Sequence, residues 1–169
     1  FAPDERVLVL GSGSGVCALA VAPRVAAVVA SDINPYAVRC SRINVLLAGL
    51  EERVSVRRGD LFAAAPGERF DRVLFHPPFD PAAPATWLDH ATRGGDVLAR
   101  FAAGLPAHLS ERAEALVILG LDAGLAPFAA ALAAAGCSAR ELARRRTWSA
   151  AYTVWSLRRN DPGGGPAPS

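Results

Sequence analysis

Four short stretches of this 169-residue chain carry side chains and backbone suited to chemistry. Gly11-Ser12-Gly13-Ser14-Gly15 places three glycines at alternate positions, where a backbone without Cβ atoms can turn tightly and approach a ligand closely. Asp32 ends an apolar run, and its carboxylate can accept both hydroxyls of a ribose. Gly59-Asp60-Leu61-Phe62 offers a carboxylate to an amino group and a main-chain N–H to a ring nitrogen. Phe75-His76-Pro77-Pro78-Phe79 sets an imidazole and two rigid prolines between aromatic rings. A neutral imidazole accepts one hydrogen bond or acts as a base near neutral pH. In this order the four stretches outline a nucleotide-type cofactor site with a reaction site beside it.

The spacing narrows the ligand. A dinucleotide fingerprint places its third glycine at position 16, and the chain has Val16 there. The tighter repeat suits a ligand with no pyrophosphate to seat on a helix N-terminus. Asp32 lies 21 residues after Gly11, and Ile33 next to it offers an apolar face to an adenine. A second role competes for Asp32, because either it or Asn34 can cap a helix starting at Pro35. Asp60 reads equally as a solvated residue of a turn.

These residues are useful only if the fold gathers them. Hydrophobic patterning predicts strands over 6–10, 25–31, 53–57, 70–75 and 113–119, with further β segments over 138–143 and 149–157. Helices are predicted over 16–22, 35–48, 96–109 (kinked near Gly104 and Pro106) and 127–135. Pro35 falls in a first turn, where proline is tolerated, and Gly49 and Gly136 follow helix ends. Alternating strands and helices imply an α/β fold with a mostly parallel sheet. In such sheets ligands bind beyond the carboxyl ends of the strands, at the point where the strand order reverses. All four stretches directly follow predicted strands and are expected to converge on that edge.

Composition sets the outer limits. Half of the chain, 51%, is hydrophobic and 20% is charged, the balance of one globular domain. All 18 basic residues are arginine, which accompanies abundant Ala, Gly and Pro and reads as coding bias. A net charge of +2 is too small to imply a nucleic-acid partner. No apolar stretch is long enough to span a membrane. Cys17, Cys40 and Cys137 lie far apart without metal-ligand spacing, so no metal is expected and each reads as a small buried hydrophobe. An odd cysteine count points to a reducing, cytoplasmic setting. The sequence opens at Phe1 with five residues before the first strand, so a preceding segment is expected, and residues 160–169 read as a disordered tail or linker after a domain over 1–159.

The stretches Val7-Leu8-Val9-Leu10-Gly11-Ser12-Gly13-Ser14-Gly15, Ser31-Asp32-Ile33-Asn34-Pro35-Tyr36-Ala37, Gly59-Asp60-Leu61-Phe62 and His76-Pro77-Pro78-Phe79 together resemble the class I S-adenosylmethionine-dependent methyltransferases. Within that superfamily the chain is similar to the small-domain N-methyltransferases, which include release-factor glutamine and ribosomal RNA guanine enzymes. The resemblance spans about residues 6–120. It implies a Rossmann-like, doubly wound, mostly parallel seven-stranded sheet with helices on both faces. It implies that Gly11, Ser12, Gly13, Gly15, Asp32, Ile33, Asp60 and Leu61 hold S-adenosyl-L-methionine. It implies that His76, Pro77 and Phe79 hold the acceptor: a side chain and the next carbonyl take hydrogen bonds from a planar NH2 group, and the ring stacks on it.

Two positions depart from the family pattern. The tetrad usually opens with Asn or Asp, and here it opens with His76. The imidazole can orient a nitrogen through its acceptor atom, deprotonate the acceptor of a small-molecule methyltransferase, or simply pack at the strand end. Relatives usually carry an acid two residues before the first glycine, and here that residue is Val9. The expected function is methyl transfer to a nitrogen of a protein side chain or RNA base. The alternatives are a small-molecule methyltransferase with His76 as general base and a non-catalytic cofactor-binding domain. Asp89-His90 reads as a loop pair, Asp96 as a helix cap, and Arg144-Arg145-Arg146 with Trp148 as a solvated turn or an RNA contact.

Overall fold

The computed structural model describes residues 1–78, 85–86, 95–120, 125–146 and 151–160. Strand β1 (Arg6–Leu10) runs into α1 (Val16–Val21), which tightens into a 3-10 turn over Ala22–Arg24. Then follow β2 (Ala27–Asp32), α2 (Pro35–Leu47), β3 (Val54–Arg58), a 3-10 turn (Leu61–Ala64) and β4 (Phe70–Phe75). The chain continues through α3 (Val97–His108), β5 (Leu109–Gly120), α4 (Leu125–Ala134), β6 (Cys137–Arg146) and β7 (Ala151–Arg159).

The seven strands form one sheet in the order β3-β2-β1-β4-β5-β7-β6. Neighbours from β3 to β5 pair in parallel, and β7 runs antiparallel to both β5 and β6. The expected doubly wound, mostly parallel seven-stranded fold is therefore present. The order reverses between β1 and β4, whose last residues Leu10 and Phe75 are register partners, as are Leu10 and Ser31 of β2.

Val7 through Leu10 are all buried, because helices cover β1 on both sides. Alternate residues serve different cores. Leu8 and Leu10 join Phe62, Phe101 and Leu105 on one face; Val7 and Val9 join Ala18, Val21 and Val45 on the other.

Helix α3 includes both Gly104 and Pro106 within its span. Its Gly104 has a packing reason. A Cβ built there falls 2.6 Å from Cδ2 of Phe62, whose ring stacks on His108 at 4.4 Å and on Phe101 at 5.6 Å between centroids. The absent side chain makes the notch that seats this ring. Strand β5 starts at Leu109, four residues before the predicted start, because Phe70 already pairs with Leu109 ahead of a register shift. The edge strand β6 is largely exposed and carries Arg140, Arg144, Arg145 and Arg146, charges that oppose pairing with another chain.

Ion pairs tie the central strands together near the amino end of β4. Arg72 bridges Glu5 and Glu114, and Glu114 also accepts from Ser156 and Arg158. Burial alone would raise the Glu114 pKa, but its hydrogen bonds to Ser156 and Arg158, with the charges of Arg158 and Arg72, hold it below the ordinary 4.5.

Two predictions follow from this packing. Helix propensity alone favours Gly104→Ala by about 1 kcal/mol, yet the clash with Phe62 predicts a net loss of about 1–3 kcal/mol, read from the urea midpoint. Glu114 contributes stability above the unfolded-state pKa that is lost as pH falls through its lower folded value. Glu114→Gln should lower stability at pH 7 by about 1–3 kcal/mol and flatten the fall between pH 4.5 and more acidic values, read by melting temperature against pH.

Candidate functional site

The glycine turn begins where β1 leaves the sheet. Gly11, Gly13 and Gly15 have φ of 65°, 56° and 87°, left-handed values that disfavour a Cβ. Ser12 N–H continues the ladder by donating to the Ser31 carbonyl at 2.9 Å, and Gly15 N–H closes the turn onto the Ser12 carbonyl at 2.7 Å. Helix α2 braces the turn from behind. The fully buried Ser41 hydroxyl donates to the Gly13 carbonyl at 2.9 Å and lies 3.1 Å from the Ser12 hydroxyl. Asn44 Nδ2 donates to the Ser14 carbonyl at 2.8 Å. These braces escape a motif reading, although a polar residue at 41, on the inward stripe between Val38 and Val45, is their trace in the sequence.

Asp32 stands at the end of β2 facing this turn. Its Oδ2 accepts from Gly13 N–H and its Oδ1 from Asn34 N–H, each at 2.9 Å. The helix cap is Asn34, whose side chain accepts from Tyr36 N–H at 2.9 Å. Of the two capping candidates, the structure selects Asn34 and turns Asp32 toward the glycines. Each carboxylate oxygen retains a lone pair beyond its bond to the backbone.

The turn after β3 is fastened to the same edge, with Gly59 N–H donating to the Asp32 carbonyl at 3.1 Å. Asp60 Oδ2 accepts from Arg100 at 2.6 Å. Leu61 has a φ of +48°, and it is the one non-glycine among the described residues with positive φ. A left-handed leucine costs about 1–2 kcal/mol, and such strain concentrates at functional sites. Ile33 is partly buried between these two turns in sequence, and its carbonyl accepts from Arg58 at 3.4 Å.

Beyond β4, His76 is accessible and Pro77 is buried. A Cβ added to Gly11 would lie 3.8 Å from the His76 carbonyl oxygen, so the glycine turn and the tetrad are immediate neighbours. Desolvation pushes the His76 pKa below its ordinary 6.5, which keeps the imidazole neutral at pH 7 with one acceptor nitrogen. Phe79, Trp87, Asp89, His90 and Trp148 lie outside the described residues. Of the remaining sequence candidates, Gly11, Ser12, Gly13, Gly15, Ile33, Asp60, Leu61, His76 and Pro77 follow the carboxyl ends of β1 to β4, and Asp32 is the last residue of β2.

Other expectations resolve differently. Asp96 occupies the N-cap position of α3 but makes no side-chain cap; its carboxylate binds Arg100 at 2.8 Å. Arg144 pairs with Glu141 at 2.7 Å. Cys137 is buried, whereas Cys17 and Cys40 are exposed, because both occupy outward positions of α1 and α2. Val9 is buried in the core beneath α1, filling with apolar volume the position that departs from the family pattern.

The arrangement suits a nucleoside-bearing ligand. An open backbone turn after β1 lies between Asp32 at the end of β2 and His76 after β4, and a Cβ on Gly13 meets nothing within 4 Å. A Cβ on Gly15 instead meets Ser41 at 3.2 Å. Gly13→Ala should therefore lose about 1–2 kcal/mol from left-handed strain alone, and Gly15→Ala should lose more. Melting curves of the two variants side by side check the order.

Comparison with known proteins adds the family. The model of the methyltransferase small domain matches residues 2–93. The release factor glutamine methyltransferase of Gloeobacter violaceus is 34% identical over 137 residues, covering 72% of this chain and 47% of that protein. The ribosomal protein uL3 glutamine methyltransferase of Bradyrhizobium diazoefficiens is 36% identical over 120 residues, covering 63% of this chain and 38% of that protein. The chain thus spans about half the length of such relatives or less. The 16S rRNA methyltransferase RsmC of T. thermophilus, solved in complex with AdoMet and guanosine, superposes with a TM-score of 0.73 at 20% identity, over 94% of this chain and 38% of that one. With more than half of its length matched by that model, on the fold the model's members share, the chain belongs to the methyltransferase small domain family.

Proposed function

We propose that this chain binds S-adenosylmethionine and directs its methyl group to a nitrogen of a protein side chain or an RNA base. The observation that carries this reading is the convergence of the glycine turn, Asp32, the Asp60-Leu61 turn and His76-Pro77 on one sheet edge in a chain of this family. The relatives named for glutamine methylation support a protein acceptor, and RsmC, solved with guanosine, supports an RNA base.

In this reading Gly11, Ser12, Gly13 and Gly15 present backbone to the cofactor. The two N–H bonds to Asp32 hold its carboxylate in place before the ligand arrives, leaving one lone pair on each oxygen for the two ribose hydroxyls. Ile33 contributes an apolar face to the adenine, Asp60 accepts from the adenine amino group, and the Leu61 N–H donates to a ring nitrogen. The chemistry the cofactor supplies when bound is an electrophilic methyl group on a sulfonium. His76 accepts a hydrogen bond from the acceptor's N–H, the Pro77 carbonyl accepts a second, and Phe79 stacks on the acceptor plane. Rate then comes from aligning the acceptor lone pair, with little need for proton abstraction before transfer. Pro77 suits this role because its ring rigidifies the turn.

Among the described residues no helix is long and apolar enough to cross a membrane. Three free thiols, two of them exposed, support a cytoplasmic setting.

Calorimetric titration with S-adenosylhomocysteine should show micromolar binding to the chain and a loss of at least tenfold in Asp32→Ala, the scale of hydrogen bonds to a charged group. Equal affinity of the two proteins would remove Asp32 from the site.

The roles of His76 separate in a transfer assay over glutamine-bearing peptides and RNA oligonucleotides. The rate should rise with pH below the ordinary imidazole value of 6.5 and be flat above it, since only the neutral ring accepts a hydrogen bond. His76→Asn should remove this acid limb and keep most of the activity. A wild type that methylates neither class but does methylate small-molecule acceptors, with complete loss in that variant, favours the second reading, His76 as the base of a small-molecule methyltransferase.

A further inference from the structure

The turn that carries Asp60 is held more firmly than its half-buried position requires. Its start is bonded to β2 through Gly59 N–H and the Asp32 carbonyl. Ala63 N–H closes it by donating to the Asp60 carbonyl at 3.1 Å. Gly59 has no room for a side chain, because a Cβ there falls 2.7 Å from Ala64. Phe62 is wedged into the Gly104 notch of α3 between Phe101 and His108. Leu61, between Asp60 and this wedge, is left in its left-handed conformation. With the backbone fastened on both sides, what remains free at Asp60 is rotation of its carboxylate.

Arg100, one turn along α3 from Asp96, removes that freedom. Its Nη1 donates to Asp60 Oδ2 at 2.6 Å while its Nε donates to Asp96 Oδ1 at 2.8 Å. The guanidinium is thus held by two carboxylates and fixes one oxygen of Asp60, leaving Oδ1 to accept from a ligand. Stability alone does not account for this contact. The Arg100 and Asp60 side chains are 44% and 42% exposed, and a pair so exposed contributes little to folding.

We propose that Arg100 is the positioning residue of the base-recognition edge: from α3 it orients the Asp60 carboxylate so that the site selects a 6-amino purine over a 6-oxo purine. The proposal rests on the reading of Asp60 as the partner of the adenine amino group. A 6-oxo base presents a carbonyl to Oδ1, and two acceptors repel. This selectivity requires the carboxylate to be held, because a rotating Asp60 could swing away from the carbonyl.

The test titrates S-adenosylhomocysteine and S-inosylhomocysteine into the wild-type chain, Arg100→Ala, Arg100→Gln, Arg100→Lys and Asp60→Asn, with a melting curve for each. Wild type should prefer the adenosyl ligand by roughly tenfold or more, the scale of a hydrogen bond to a charged group. Arg100→Ala and Arg100→Gln should shrink that ratio at least threefold with nearly unchanged melting, and Arg100→Lys should restore part of it. Asp60→Asn should bring the ratio near one or invert it, since its amide can donate to the oxo group. Equal weakening of both ligands in the Arg100 variants would make the residue merely structural and overturn the proposal. A ratio unchanged at Arg100 but lost at Asp60 overturns it while sparing the reading of Asp60. A ratio unchanged in both overturns that reading too, and a wild-type chain that binds neither ligand overturns the cofactor assignment itself.

Discussion

The end of β1 is the constraint on which the rest of the structure depends. This strand is buried on both faces and bonded on both sides, so its chain must leave the sheet between the ends of β2 and β4. Glycines at 11, 13 and 15 let the chain turn there in left-handed conformations at little cost while Ser12 still bonds β2 and Gly11 passes the His76 carbonyl. The hydrogen bond from Gly13 N–H to Asp32 then links the turn to the carboxylate beside it. One geometric necessity thereby brings together a glycine turn, an acid and the start of the tetrad.

Rigidity is distributed unevenly around this point. Behind the glycine turn, α2 supplies Ser41 and Asn44 as braces. Below the turn after β3, α3 supplies the Gly104 notch and Arg100. The first works through hydrogen bonds to backbone carbonyls and the second through ring packing and an ion pair. The central strands near the amino end of β4 are held by ion pairs around Arg72 and Glu114, which stabilise the sheet at a distance from any ligand. Charge pairing thus occurs at both ends, tying strands together at one and holding Asp60 at the other.

Departures from the family pattern make sense in these terms. Val9 is one of the alternate β1 residues facing the α1 core, so an apolar side chain there strengthens packing and offers nothing polar to a ligand. At His76, where the family usually has Asn or Asp, desolvation disfavours the charged form of the imidazole.

Strand and helix order, the parallel sheet and the residues of the candidate site were legible in the chain. Period-two apolar runs, glycines at alternate positions and Pro35 after Asn34 are local signals, set by backbone sterics and burial that act over a few residues. Strand ends were less legible: β5 begins at Leu109 because a partner strand, Phe70, pairs there. The choice of Asn34 over Asp32 as cap, the exposure of Cys17 and Cys40, the ion pair that draws Asp96 away from capping, and the braces from Ser41 and Arg100 were decided by tertiary structure. Each depends on what a distant segment places alongside. Asp60 meets Arg100 across 40 positions of sequence, and Gly104 is explained by a ring 42 residues upstream. The sequence by itself determined which residues could do chemistry and which edge would gather them; only the packed structure decided which of their atoms are already held, because contacts between distant segments leave no periodic mark on the chain.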